Sequence, residues 1–94
     1  MKTGHITFRL HALERMFERE ISESDVQHVL RTGEVIEDYP KDYPYPSRLL
    51  LGWCGDRPIH VVAAFDEHDK ETIVITVYEP DRENWDGEFR GRIK

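Results

Sequence analysis

Apolar residues recur along the chain with two periods, and the change from one to the other divides it. Leu10, Leu13, Met16 and Phe17 follow helical spacing within Leu10 to Glu20, which predicts an amphipathic helix with these side chains on its core face. Ser22, followed three residues later by Asp25, is a capping signature with the shorter acid, set ahead of Val26, Val29 and Leu30. A second helix is therefore expected, running to Thr32. Gly33 is the expected stop, because glycine takes the left-handed conformation that closes helices.

Beyond Gly33 the period falls towards two. Glu34 to Tyr39 alternates as a strand, and Pro40, Pro44 and Pro46 then break the chain into an extended loop holding Tyr43 and Tyr45. Arg48 to Cys54 and Arg57 to Asp66 read as a hairpin around Gly55-Asp56, and Thr72 to Tyr78 reads as a last strand stopped by Pro80. His5 to Phe8 is short and β-prone, while the principal elements run ααββββ. The fold class predicted is α+β, with two N-terminal helices packed on a single antiparallel sheet of about four strands.

One domain is expected over residues 1–94: a helical part at 5–32, a sheet at 34–80 and a polar tail at 81–94. In that tail Trp85 and Phe89 are the anchors, and Arg90, Arg92 and Lys94 are expected to stay in water. Aligning the apolar sets of the last two strands places Phe65 opposite Ile73, Val61 opposite Val77 and His60 opposite Tyr78. The hairpin register stays open by one residue, so either Leu49 and Leu51 or Leu50 and Cys54 share the face of His60.

Composition narrows the function classes. Ninety-four residues leave no room for a separate cofactor domain. A single cysteine, Cys54, forms no internal disulfide, and Met1-Lys2-Thr3-Gly4-His5 has no apolar run behind its basic residue, which together suggest a cytoplasmic protein. The longest apolar runs, Leu49 to Leu51 and Val61 to Phe65, fall far short of the ~20 residues that span a bilayer, so no membrane partner is expected. A net charge of −6 argues against a globally basic nucleic-acid binder. The distribution tempers this: residues 1–20 carry four basic and three acidic groups, whereas 21–47 carry two and six. A local cationic surface is compatible with the acidic whole.

Candidate chemistry lies in two places. At ~100° per residue, His11, Arg15 and Arg19 share one arc of the first helix, broadly opposite its apolar side. Both four-residue charge pairs there, Glu14 with Glu18 and Arg15 with Arg19, join like charges, a mildly destabilising choice that a purely structural face has no need of. The plain alternative is a solvated charged face. In Arg57-Pro58-Ile59-His60-Val61-Val62, alternation sets Ile59, Val61, Ala63 and Phe65 on one face and His60 on the other, with Arg48 and Arg57 bordering the sheet; here the plain alternative is a half-buried structural histidine. Together these residue types suit RNA cleavage through the ribose 2′-hydroxyl, which needs a base, an acid and cations facing the phosphorane. Tyr43, Tyr45 and Trp53 offer rings for unstacked bases, while the plainer reading of the tyrosine–proline loop is a structural or partner-binding segment. No CxxC, HExxH, GxGxxG or GxxxxGK spacing occurs, so neither a metal nor a cofactor is expected.

The motifs His11-Ala12-x-x-Arg15-Met16-x-x-Arg19, Ile21-Ser22-x-x-Asp25-Val26, Gly33-Glu34-Val35-Ile36, Tyr43-Pro44-Tyr45-Pro46-Ser47, Gly52, Arg57-Pro58-x-His60-Val61-Val62 and Thr76-Val77-Tyr78-Glu79-Pro80 resemble the bacterial family catalogued as domain of unknown function 4258. The similarity spans roughly His11 to Arg92. It implies kinship with toxins of type II toxin–antitoxin modules, similar to MqsR and the RelE-like ribonucleases, which cut RNA without metal. It also implies an antitoxin partner, of the small zinc-finger type.

On that reading His60, His11, Tyr78 and Arg57 are the catalytic candidates and Arg15, Arg19, Arg48 and Arg90 hold RNA phosphates, with RNA or the ribosome as target. The rival expectation is a non-catalytic module that binds a small zinc-finger or other regulatory protein. A small metabolic enzyme acting on an unrelated substrate is a weaker third.

Overall fold

The computed structural model describes residues 5–93; Lys94, expected to be a wet tail residue, and the first four residues lie outside them. Seven elements follow one another: β1 (His5–Phe8), α1 (Leu10–Arg19), α2 (Glu23–Thr32), β2 (Glu34–Tyr39), β3 (Ser47–Cys54), β4 (Arg57–Asp66) and β5 (Glu71–Tyr78). The sheet has five strands in the order β1-β5-β4-β3-β2. The expectation of about four, all antiparallel, is corrected here, because β1 adds to the free edge of β5 in parallel, with His5 opposite Glu71. A parallel neighbour needs a long crossover, and everything between β1 and β5 supplies it.

Both helices cover one face of the sheet, α1 over β5 and α2 over β3 and β4. The core on this inner face joins Ala12, Met16, Ile21, Val26, Val29 and Leu30 to Leu50, Ile59, Val61, Ala63, Val74 and Val77. α2 begins as expected, with the Ser22 hydroxyl accepting from the Asp25 N–H at 3.0 Å and the Asp25 carboxylate accepting from the Ser22 N–H at 3.1 Å. Two of the amides that lack a helical partner at the start of α2 are thereby satisfied.

Two expectations about these elements fail for physical reasons. Gly33 is not left-handed: it sits at φ −73°, ψ 169°, and glycine is needed because a Cβ there would lie 2.6 Å from the Val29 oxygen and 2.7 Å from the Leu51 oxygen. The left-handed cap belongs instead to Glu20 at φ 55°, whose N–H closes α1 onto Met16 and Phe17. The second failure concerns the buried side of α1. Ala12 and Met16 face the sheet, while Leu10, Leu13 and Phe17 are 73%, 40% and 88% exposed. Ala12 and Met16 fill the contact with the sheet, and the other three apolar side chains turn away from it.

Strand registers are mostly as expected. His60 lies opposite Tyr78 and Val61 opposite Val77. Phe65, however, faces Thr72 and not Ile73, because a bulge between Val62 and Ala63 moves the pairing by one residue. The hairpin turns at Gly55, φ 67°, and pairs Leu51 with His60 and Leu50 with Val61. Leu49 and Leu51 therefore share the outer face with His60.

Candidate functional site on the outer face

Among the described residues no helix covers the outer face. The C-terminal tail crosses it instead, with Trp85 and Phe89 buried against Leu49 and Leu51 beside Ile36, Tyr39, Val62 and Tyr78. Asp86 shapes this segment by accepting from the amides of Glu88, Arg90 and Gly91, and a bridge pairs Trp85 with Arg92. Both expected anchors hold. Arg90 and Arg92 remain exposed, yet each is tied to β2: Arg90 donates to Glu34 at 2.6 Å and Arg92 to Glu37 at 2.9 and 3.1 Å.

Under this tail lies His60, with no exposed surface. Its Nε2 is 2.9 Å from the Phe89 carbonyl oxygen and its Nδ1 is 3.2 Å from the Tyr78 hydroxyl. A carbonyl can only accept, so Nε2 carries the proton; in the neutral ring Nδ1 is then the acceptor, and Tyr78 donates to it. Burial favours the neutral ring, pulling the His60 pKa below its usual value against the opposing pulls of the Phe89 carbonyl and Glu37. Burial likewise pushes the Tyr78 phenol up to about 12. The rings of Trp85 and Tyr78 stand edge-on to the imidazole, at 4.4 and 5.2 Å between centroids.

Beside this pair sits a second polar group. The Glu37 carboxylate accepts from Arg92 and, at 2.5 Å, from the Tyr39 hydroxyl; the Arg92 bonds contribute most to holding its pKa below the usual carboxylate range. The Arg92 guanidinium also stacks 4.7 Å over the Trp85 ring. Glu37, Tyr39, His60, Tyr78 and Arg92 thus form one cluster of a carboxylate, two phenols, an imidazole and a guanidinium. Glu37, Tyr39 and Arg92 were not among the candidates expected from sequence. The bulge between Val35 and Glu37 turns consecutive residues Ile36 and Glu37 to the same side, which simple alternation does not predict.

The eight expected site residues separate cleanly. His60, Tyr78 and Arg90 are on the outer face. His11, Arg15 and Arg19 are exposed on α1, which packs on the other face, so a single site holding both His11 and His60 is not formed. Arg15 reaches Glu18 at 3.5 Å and Arg48 reaches Asp38 at 3.6 Å. Arg57 is a structural clamp: it pairs with Glu79 at 2.6 Å and donates to the carbonyls of Arg19 and Glu20, tying the end of α1 to the sheet.

Farther along the outer face, away from the tail, a groove opens between Arg9 and the loop residues Tyr43 and Tyr45, floored by Ala64, Ile73 and Ile75. Tyr43 is 94% exposed. Trp53, the third expected stacking ring, is partly committed to an edge-on contact with Phe89 at 6.0 Å. Among the described residues there is no group of three or more His, Cys, Asp or Glu side chains placed to hold a metal, and no helix is long and apolar enough to cross a membrane.

The fold defines an α+β protein with two helices on one face of a five-strand mixed sheet and a polar cluster under a tail on the other. The chain belongs to the family described as domain of unknown function DUF4258, whose profile matches residues 8–79. No curated protein and no solved structure gives a significant match. The matched stretch contains Glu37, Tyr39, His60 and Tyr78 and stops short of the tail that supplies Arg92.

Proposed function

We propose that the chain is the RNA-cleaving toxin of a two-component module, a cytoplasmic endoribonuclease akin to MqsR and RelE that works without metal. One observation carries the reading: Glu37, Tyr39, His60, Tyr78 and Arg92 meet on one face of the sheet. Cleavage by 2′-hydroxyl attack needs a group to take the hydroxyl proton, a group to protonate the departing 5′-oxygen, and positive charge at the phosphorane. In this reading the neutral His60, whose Nδ1 carries a lone pair, or the ionised Glu37 takes the proton, Tyr78 or Tyr39 supplies one, and Arg92 faces phosphate with its planar fork. Arg90 is the further phosphate contact, and the antitoxin is the expected partner. The groove beside Tyr43 supports the same target. Ala64 and His60 are on one side of β4 at ~3.4 Å per residue, so the groove and the cluster lie about 13 Å apart, within reach of one RNA strand.

Access requires the tail to lift, since Trp85 and Phe89 cover the imidazole. The test is cleavage of mixed-sequence RNA in EDTA at low salt, free and on translating ribosomes. Wild type, Trp85→Ala, His60→Ala and Glu37→Gln are compared, with folding checked by circular dichroism. Cuts leaving 2′,3′-cyclic phosphate ends are expected from wild type, more from Trp85→Ala, and far fewer from the other two. Folded wild type and Trp85→Ala that both leave RNA intact in either setting would overturn the reading.

A second reading, a non-catalytic interaction module that binds a small zinc-finger or other regulatory protein, is favoured by the complete burial of His60 with both ring nitrogens occupied. Growth arrest on expression, relieved by His60→Ala, separates the two: it supports the enzyme, and harmless folded wild type supports the module.

A further inference from the structure

α1 presents its largest apolar side chains to solvent. At ~100° per residue Leu10, Leu13 and Phe17 fall within about 60° of one another, an i, i+3, i+7 stripe, and they are 73%, 40% and 88% exposed. Scattered exposed leucines need no explanation, but three large apolar residues in register along one helix mark an interaction surface. Glu14 and Glu18 run along one edge of this stripe and line a shallow hollow with Leu13 and Phe17, Glu18 with Arg15 at 3.5 Å on the side away from the stripe. The opposite edge is Met16, packed onto the sheet of the same chain.

We propose that this stripe docks an amphipathic helix of a partner protein, one with apolar residues at matching spacing and lysine or arginine along the edge that meets Glu14 and Glu18. The charge pattern selects this occupant over two others. In a two-fold antiparallel pairing of α1 with a second copy, each edge meets its own counterpart, so Glu14 and Glu18 would face Glu14 and Glu18. In a parallel pairing the acidic edge would meet the Met16 side, which is occupied by the copy's own sheet. An anionic bilayer is repelled by the same carboxylates. A cationic helix complements both stripe and edge, and the net charge of −6 steers such a partner towards the chain. The inference is independent of ribonuclease activity, since α1 lies on the face opposite His60.

The probe is a synthetic helix of about five turns built from leucine and lysine, with a leucine and glutamate twin of the same pattern. The isotopically labelled full chain is titrated with each and followed by amide shifts. One-to-one binding of the lysine peptide is expected, with shifts centred on Leu13 to Glu18 and an affinity at least about tenfold above that of the twin. Phe17→Ser should leave the melting temperature unchanged, because the ring is exposed, and weaken binding by about tenfold or more. The Glu14→Lys/Glu18→Lys variant should transfer the preference to the glutamate peptide. Equal affinity for both peptides, shifts centred elsewhere, binding indifferent to Phe17→Ser, or a wild-type dimer that Phe17→Ser makes monomeric would each overturn the proposal.

Discussion

Replacing Trp85 with alanine tests whether the tail is held by packing. The indole is 4% exposed, edge-on to His60 and beneath the Arg92 guanidinium. Truncating a buried aromatic costs about 3–5 kcal/mol, to which a cation–π contact at an exposed rim adds about 0.5–1 kcal/mol. What then remains is Phe89 with its ring contacts to Trp53 and Arg82, one hydrogen bond from His60 to its carbonyl, and two ion pairs at the surface, where such pairs contribute little because long side chains must be ordered to make them. A segment can open locally at less cost than the whole domain, so the tail is expected to leave the sheet while the body stays folded. Three readings follow in one sample. The loss in urea-measured stability should fall short of the full ~3–5 kcal/mol, because the body no longer needs the tail to remain folded. Amides of residues 81–93 should lose exchange protection. The His60 ring should titrate closer to the ordinary value near 6.5, read from its Hε1 resonance. A folded variant with a protected tail and an unmoved His60 midpoint would refute the packing argument.

Acid should weaken the fold in two separate windows. Burial depresses the folded-state pKa of His60, so below the unfolded value of about 6.5 the unfolded chain takes up a proton that the folded chain refuses. His60 therefore contributes fully above that pH, and its contribution is lost as pH falls, at up to about 1.4 kcal/mol per pH unit. Asp25 and Glu37, whose pKa values are lowered in the fold, contribute above their unfolded values and lose that contribution only below about pH 4.5. Urea unfolding at pH 7.5 and 5.5 should show a loss in wild type that is smaller in His60→Gln; equal losses would argue against it. Gly33→Ala should destabilise by about 1–3 kcal/mol, since the new Cβ would crowd the backbone oxygens of Val29 and Leu51. Thermal melts beside Gly87→Ala, where nothing lies within 4 Å, provide the check, and similar drops in both would contradict the steric account.

Local chemistry was legible and long-range chemistry was not. The capping box at Ser22 and Asp25 acts within four residues, and both partners can be read from the string. The hairpin at Gly55 and the pairing of His60 with Tyr78 follow from strands that are neighbours in sequence. β1 could not be assigned a place, because four residues do not say which distant edge they join. The outward turn of Leu10, Leu13 and Phe17 was hidden by taking apolar periodicity as a pointer to the core, whereas burial of apolar residues is a rule with many exceptions on the exposed side. The expected meeting of His11 with His60 runs against the packing of the two elements. Each was placed opposite the apolar side of its own element, and two elements that pack apolar sides together send their polar sides apart. Glu37 and Arg92 were missed because one depends on a bulge and the other on where the tail lands.

The parallel seam between β1 and β5 imposes an order on the growing chain. β2 to β5 form a meander in which each strand finds its neighbour soon after it is made. β1 precedes these strands in the chain, yet among the described residues its only neighbour in the sheet is the last strand. At ~5–20 residues per second it waits several seconds for β5, with Ile6 and Phe8 unpacked. During synthesis β1 is thus the strand most in need of shelter, and the sheet is complete only when β5 reaches it.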